Sequence, residues 1–86
     1  MAMTRMNSVP VRVRTDWFDG RPREVRWGLD RLPVTGLAAV RQELSAYPAA
    51  SGPRTVFEVD TPRARLALSY AHRTRRWTIE ALDEAA

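Results

Sequence analysis

The sequence predicts a small α+β domain, in which an N-terminal hairpin and a C-terminal three-stranded meander form an antiparallel sheet covered by one helix. Three observations predict it. Residues 9–17 and 23–29 alternate apolar and polar side chains with the period of half-buried strands. Residues 37–47 change to a helical period, and from residue 55 onward the alternation returns, broken by short turns. If the middle segment is a strand instead, the same elements make a small open β-barrel.

In the first strand Val9, Val11, Val13, Thr15 and Trp17 share one face, and Arg12, Arg14 and Asp16 share the other. In the second, Val25, Trp27 and Leu29 are apolar while Glu24 and Arg26 are polar. A Phe18-Asp19-Gly20 loop with Gly20 in the left-handed conformation sets Val13 against Val25 and Val11 against Trp27. A loop of Asp19-Gly20 alone would put the apolar residues on opposite faces. The favoured register pairs Arg14 with Glu24 and places Arg12 opposite Arg26, a like-charge contact that an anion would relieve.

Asp30 to Thr35 contains Pro33, which restricts this stretch to a short edge piece. Leu37, Val40, Arg41, Leu44 and Tyr47 then share one helical face, with Thr35 as a cap and Pro48 just past the end. A strand over 37–43 is the competing reading. Residues 49–53 form a loop, and strands follow at 55–59, 64–70 and 76–82. A turn centred on Arg73-Thr74 opposes Tyr70 to Trp77 and Leu68 to Ile79, which keeps the apolar faces matched. The expected organisation is one domain over 9–82 with flexible ends at 1–8 and 83–86. Its core is expected from Val11, Val13, Trp27, Leu37, Val40, Phe57, Leu66, Leu68, Tyr70, Trp77 and Ile79.

The 86-residue chain carries a net charge of +4, and all 14 of its Lys+Arg residues are arginine. GC-rich codon usage produces such a bias without any function behind it. Arginine is also the side chain that binds phosphate and carboxylate bidentately. The basic balance favours nucleic acid, acidic proteins or anionic surfaces as partners. The absence of cysteine excludes disulfides and thiolate metal sites. No apolar run approaches the roughly 18 residues of a membrane span. The N-terminus lacks a secretory pattern, so a cytoplasmic protein is expected.

No Gly-rich phosphate loop, zinc spacing or nucleophile elbow occurs, and neither an enzyme nor a metal or cofactor is expected. His72, the single histidine, reads as a solvated turn residue. Asp16, Asp19 and Glu24 are accounted for by turn chemistry and ion pairing.

Two surfaces stand out as binding candidates. Arg73, Arg75 and Arg76 crowd one hairpin tip beside Tyr70 and Trp77, where guanidiniums could clasp phosphates, and Arg12 and Arg26 add a second basic cluster. Alternation assigns Tyr70 and Trp77 to the core. At the other hairpin, Trp17 and Phe18 form an aromatic tip suited to docking on a protein.

The Val11-Arg12-Val13 strand, the Gly20-Arg21-Pro22 turn leading to Val25-Arg26-Trp27-Gly28, and the closing Tyr70 to Trp77 hairpin together resemble a group of small actinobacterial domains of unknown function. Some members of that group are attached to, or encoded near, lesion-bypass DNA polymerases of the Y family. The middle segment departs from the group, having Ala38-Ala39-Val40-Arg41 where bulky aromatics are usual. The resemblance implies a DNA-metabolism setting and carries no catalytic residue over.

The leading functional expectation is a small non-enzymatic interaction module that contacts a protein partner or itself as a homodimer. The alternative is a nucleic-acid-binding accessory domain that uses Arg12, Arg26, Arg73, Arg75 and Arg76.

Overall fold

The computed structural model describes residues 4–43 and 53–83, and all its regular structure is β. Seven strands follow in order: β1 (Thr4–Thr15), β2 (Pro22–Trp27), β3 (Asp30–Pro33), β4 (Gly36–Glu43), β5 (Arg54–Asp60), β6 (Arg65–Ala71) and β7 (Arg76–Asp83). They form one antiparallel sheet in the order β3-β2-β1-β7-β6-β5-β4, curled into a half-barrel.

The expected helix over 37–47 does not form: 36–43 is strand β4, and the remaining positions, 44–47, lie outside the described residues. The α+β class is therefore replaced by an all-β one. The reason lies at Thr35. Instead of capping a helix, its backbone N–H and its hydroxyl both donate to the Asp60 carbonyl of β5, at 2.7 and 3.1 Å. One residue earlier, Val34 N–H donates to the Arg23 carbonyl of β2 at 2.9 Å. Successive residues thus bond to strands near opposite edges of the sheet. The two edge strands, β3 and β4, are halves of one extended run, and that run bridges the open side of the half-barrel.

The helical periodicity has its own explanation in a β-bulge. Leu37 pairs with Val59 and Ala39 with Glu58, so one extra residue enters β4, and Val40 then pairs with Phe57. Leu37 and Val40 therefore lie on the same face although three residues apart, a spacing that mimics a helical turn. Val40, expected in the core, is 48% exposed because β4 is an edge strand with no neighbour beyond it.

The hairpin registers follow the apolar pattern. Arg12 pairs with Arg26, Val13 with Val25 and Arg14 with Glu24. Tyr70 pairs with Trp77 and Leu68 with Ile79. The loop of the first hairpin differs from expectation, since Trp17 to Gly20 all lie outside the ladder and a bulge between Arg14 and Thr15 absorbs the change. Gly20, at φ 75°, closes this loop by donating to the Asp16 carbonyl at 2.8 Å. The β2–β3 connection is the tight turn Gly28-Leu29, with Gly28 at φ 64°. Leu29, expected on the apolar face, is fully exposed there.

The core lines the inner face. Val25, Leu32, Val59, Ala64, Leu66, Leu68 and Ile79 are buried, with Val11, Val13, Trp27, Phe57 and Trp77 packed around them. Strand β6 is buried on both sides, because Val56, Ala67 and Ala81 form a second cluster on the opposite face. Arg54 of β5 reaches Glu80 of β7 as an ion pair, tying together the two strands that flank β6.

Leu68 has no exposed surface and sits at the centre of the inner core. Leu68→Ala should cost about 2–5 kcal/mol, while Ile79→Val should cost only about 0.5–1.5 kcal/mol. Urea denaturation followed by far-ultraviolet circular dichroism checks both values, and the native spectrum should lack the helical double minimum.

Candidate functional site

Strand β1 has two partners used at different points. Thr4, Arg5 and, after a register shift, Val9 to Val11 pair with β7, and residues from Arg12 to Thr15 pair with β2. The β1–β7 ladder ends where Val11 meets Trp77. One further step would set Arg12 against Arg76, two like charges directly opposed. That step is not made. Instead the chain enters the 72–75 turn, where Arg75 N–H donates to the Ala71 carbonyl at 2.7 Å and Arg75 adopts φ 58°.

The strands part here, leaving a cleft of about 1100 Å³. Its walls include Val11, Arg12, Arg26, Arg75, Arg76 and Trp77. Four of the five arginines singled out in the sequence, drawn from two distant segments, therefore face one space. Arg73 lies in the same turn but does not line the cleft.

Most other arginines are engaged with carboxylates. Arg23 pairs with Asp16 at 2.8 Å, Arg41 with Glu58 at 3.0 Å, Arg63 with Asp30 at 2.9 Å and Arg65 with Asp60 at 2.7 Å. Glu24 was expected to pair with Arg14 across the strands; it instead accepts a 3.3 Å bond from Arg26, its neighbour on the same strand face. Among the described residues Arg12, Arg14, Arg31, Arg75 and Arg76 have no carboxylate partner, and three of these, Arg12, Arg75 and Arg76, line the cleft. The cleft is thus lined by guanidiniums of which only Arg26 is offset by a local acid.

A second cavity of about 470 Å³ adjoins the first and shares Val13, Arg75 and Trp77 with it. Thr55, Phe57, Tyr70 and His72 on one side and Thr15 and Gly20 of the first hairpin on the other complete its walls. The Tyr70 and Trp77 rings lie 4.8 Å apart and those of Phe57 and Trp77 5.5 Å apart, a continuous aromatic surface across three adjacent strands. His72 stands edge-on to Tyr70 at 5.2 Å, and its Nε2 lies 2.7 Å from Thr55 Oγ1.

Phe57 and Trp77 pack on the core as the alternation predicts, and His72 is an exposed turn residue as expected, but each also lines this cavity. The signal that identifies them together is register: Thr55, Tyr70 and Trp77 face one another on neighbouring strands. Tyr70 and Trp77 are only half-buried, with part of each side chain lining this cavity.

Trp17 and Phe18 are 92% and 82% exposed and line neither cavity. Their rings pack edge-to-face at 5.8 Å. Trp17 does not close the apolar face, because Asp16 turns the chain outward before it. One Asp16 oxygen accepts N–H bonds from Phe18 at 2.7 Å and Asp19 at 3.4 Å, and the other accepts the Arg23 guanidinium. The Phe18 amide, and after it Arg23, hold the Asp16 carboxyl below its usual range.

No protein-family model, curated protein or solved structure matches this chain. Its functional reading rests on the two cavities themselves. Among the described residues, no group of three or more His, Cys, Asp or Glu side chains is placed to hold a metal ion. No helix there is long and apolar enough to cross a membrane.

Two predictions follow from this geometry. A left-handed backbone costs a non-glycine residue about 1–2 kcal/mol, so Arg75→Gly should raise the thermal midpoint by several degrees while removing one cation from both cavities. Calorimetry reads the first effect and ligand titration the second. The lowered Asp16 pKa stabilises the fold above the ordinary carboxylate value, and that contribution disappears as pH falls through the folded-state pKa. The Phe18 amide resonance should accordingly titrate with a midpoint below the usual value of about 3.9 for aspartate. Asp16→Ala should abolish that transition and narrow the acid dependence of stability.

Proposed function

We propose that this domain binds single-stranded nucleic acid, with the phosphates lying in the arginine cleft. The observation that carries this reading is the convergence of Arg12, Arg26, Arg75 and Arg76 beside Trp77 in one groove. A groove that tracks the backbone with cations and offers aromatic rings to the bases is the general chemistry of strand binding without strong sequence preference. Two local features that oppose folding support it. Arg12 sits directly opposite Arg26, and Arg75 holds a left-handed backbone. Both are relieved or put to use by an anion in the cleft.

Single strands are favoured over duplex because the rings are half-buried on the inner face. A base must leave its stack to reach them.

Contact with a protein through Trp17 and Phe18 is the second reading, favoured by the high exposure of both rings. Neither ring lines the arginine cleft or the cavity beside it, so Phe18→Ser should leave strand binding unchanged.

Fluorescence anisotropy with labelled oligonucleotides across a salt series tests the main reading. Affinity for single strands should fall linearly on a log–log salt plot, with each phosphate neutralised contributing about −0.7 to the slope. Arg12→Gln and Arg76→Gln should each flatten that slope by about one such contribution. Equal affinity for duplex and single strands, or no binding at low salt, would count against the proposal.

A further inference from the structure

We infer that the cavity lined by Thr55, Phe57, Tyr70, His72 and Trp77 is a nucleobase pocket, holding one unstacked base of a strand whose phosphates lie in the adjoining cleft. The inference rests on the single-strand reading and deepens it, since it assigns a site for the base.

Three observations carry it. The cavity measures about 470 Å³ and adjoins the arginine cleft through Arg75 and Trp77. That volume lies within the roughly 300–1,000 Å³ of pockets that hold small organic ligands. A nucleotide spanning the two cavities could thus set its phosphate near Arg75 and its base against Trp77, with no rearrangement of the strands.

One wall is aromatic. Tyr70, Trp77 and Phe57 line it with ring centroids 4.8 and 5.5 Å apart and planes inclined by 46° and 38°, so a base would stack on one ring face with the other rings beside it.

The same cavity has a polar element. Thr55 is buried, and its hydroxyl lies 2.7 Å from His72 Nε2. A hydroxyl has one donor and two acceptor sites, and an imidazole has a nitrogen at each side of its ring. Their mutual bond therefore leaves capacity on both groups, and a base carries matching donors and acceptors along its edge. A purely structural core position would not need this pair at the margin of an open cavity. A hydrocarbon ligand would leave it unmatched. The pocket thus combines a stacking wall, an edge-reading pair and an adjoining cationic groove.

The test uses the full chain, at one pH and one salt concentration. A thymidylate strand of about a dozen nucleotides is compared with a strand of equal length whose sugars carry no bases. Base stacking should make the thymidylate strand bind roughly 5- to 100-fold more tightly. Thr55→Val and His72→Ala should reduce that preference while leaving the slope of the salt plot unchanged. Circular dichroism and the thermal midpoint establish that both variants are folded.

Equal affinity for the two strands, with salt dependence retained, would overturn the pocket and leave the arginine cleft standing. An undiminished preference in folded Thr55→Val and His72→Ala would overturn the assignment of the edge-reading pair. Failure of both strands to bind would overturn the pocket together with the single-strand reading.

Discussion

The early end of the β1–β7 ladder is the constraint on which the site depends. An interior strand can pair on both edges at once, as β6 does, but β1 pairs with β7 only as far as Val11 and with β2 only from Arg12 onward. Extending the β7 pairing by one residue would bring two guanidiniums face to face. Extending it further would require Arg75 to give up the left-handed conformation that turns the chain from β6 into β7. The strands separate instead. The two cavities meet beside this parting, sharing Val13, Arg75 and Trp77, and Trp77 and Tyr70 keep part of their rings uncovered there.

The arginines sort themselves by this gap. Those on β4, β5 and β6 and in the β5–β6 turn have carboxylates within 4 Å on nearby strands. Such exposed pairs add little stability individually, but they neutralise the surface where they occur. Of the described cations left over, Arg12, Arg75 and Arg76 lie where β1 leaves β7, and Arg14 and Arg31 lie on the β1–β2–β3 side of the sheet. A bias spread evenly along the sequence thus becomes a local field after folding. Genome composition can account for arginine standing in place of lysine, but composition does not determine which guanidiniums are paired. The register of the strands determines that.

Much of the sheet was legible because alternation reports strand faces directly, and the pairings Val13 with Val25 and Tyr70 with Trp77 follow from keeping those faces matched. The middle segment was not legible. A bulge places Leu37 and Val40 on one face at helical spacing, and alternation cannot distinguish a bulged strand from one turn of helix. The Glu24 partner was missed because cross-strand geometry suggests Arg14, whereas the same-face neighbour Arg26 is also within reach. For the site, the arginines were identified singly and as two clusters, but their convergence depends on the order β2-β1-β7, which brings residues about fifty to sixty positions apart to one cleft. His72 is the exposed turn residue the sequence suggests, but its contact with Thr55 gave no signal, since it depends on how the turn after β6 lies beside β5.

Trp77 joins these threads. Its side chain packs on the core through Phe57, forms a wall of the arginine cleft and contributes to the floor of the aromatic cavity. A residue serving both the core and a ligand surface must be fixed by one and exposed to the other. The parting of β1 from β7 meets both requirements, because backbone pairing holds Trp77 up to Val11 and ceases immediately beyond. The aromatic surface is therefore preorganised by the same packing that stabilises the half-barrel. A strand entering the cleft meets rings already in place, and the ordering cost of binding falls mainly on the strand and on the exposed arginine side chains.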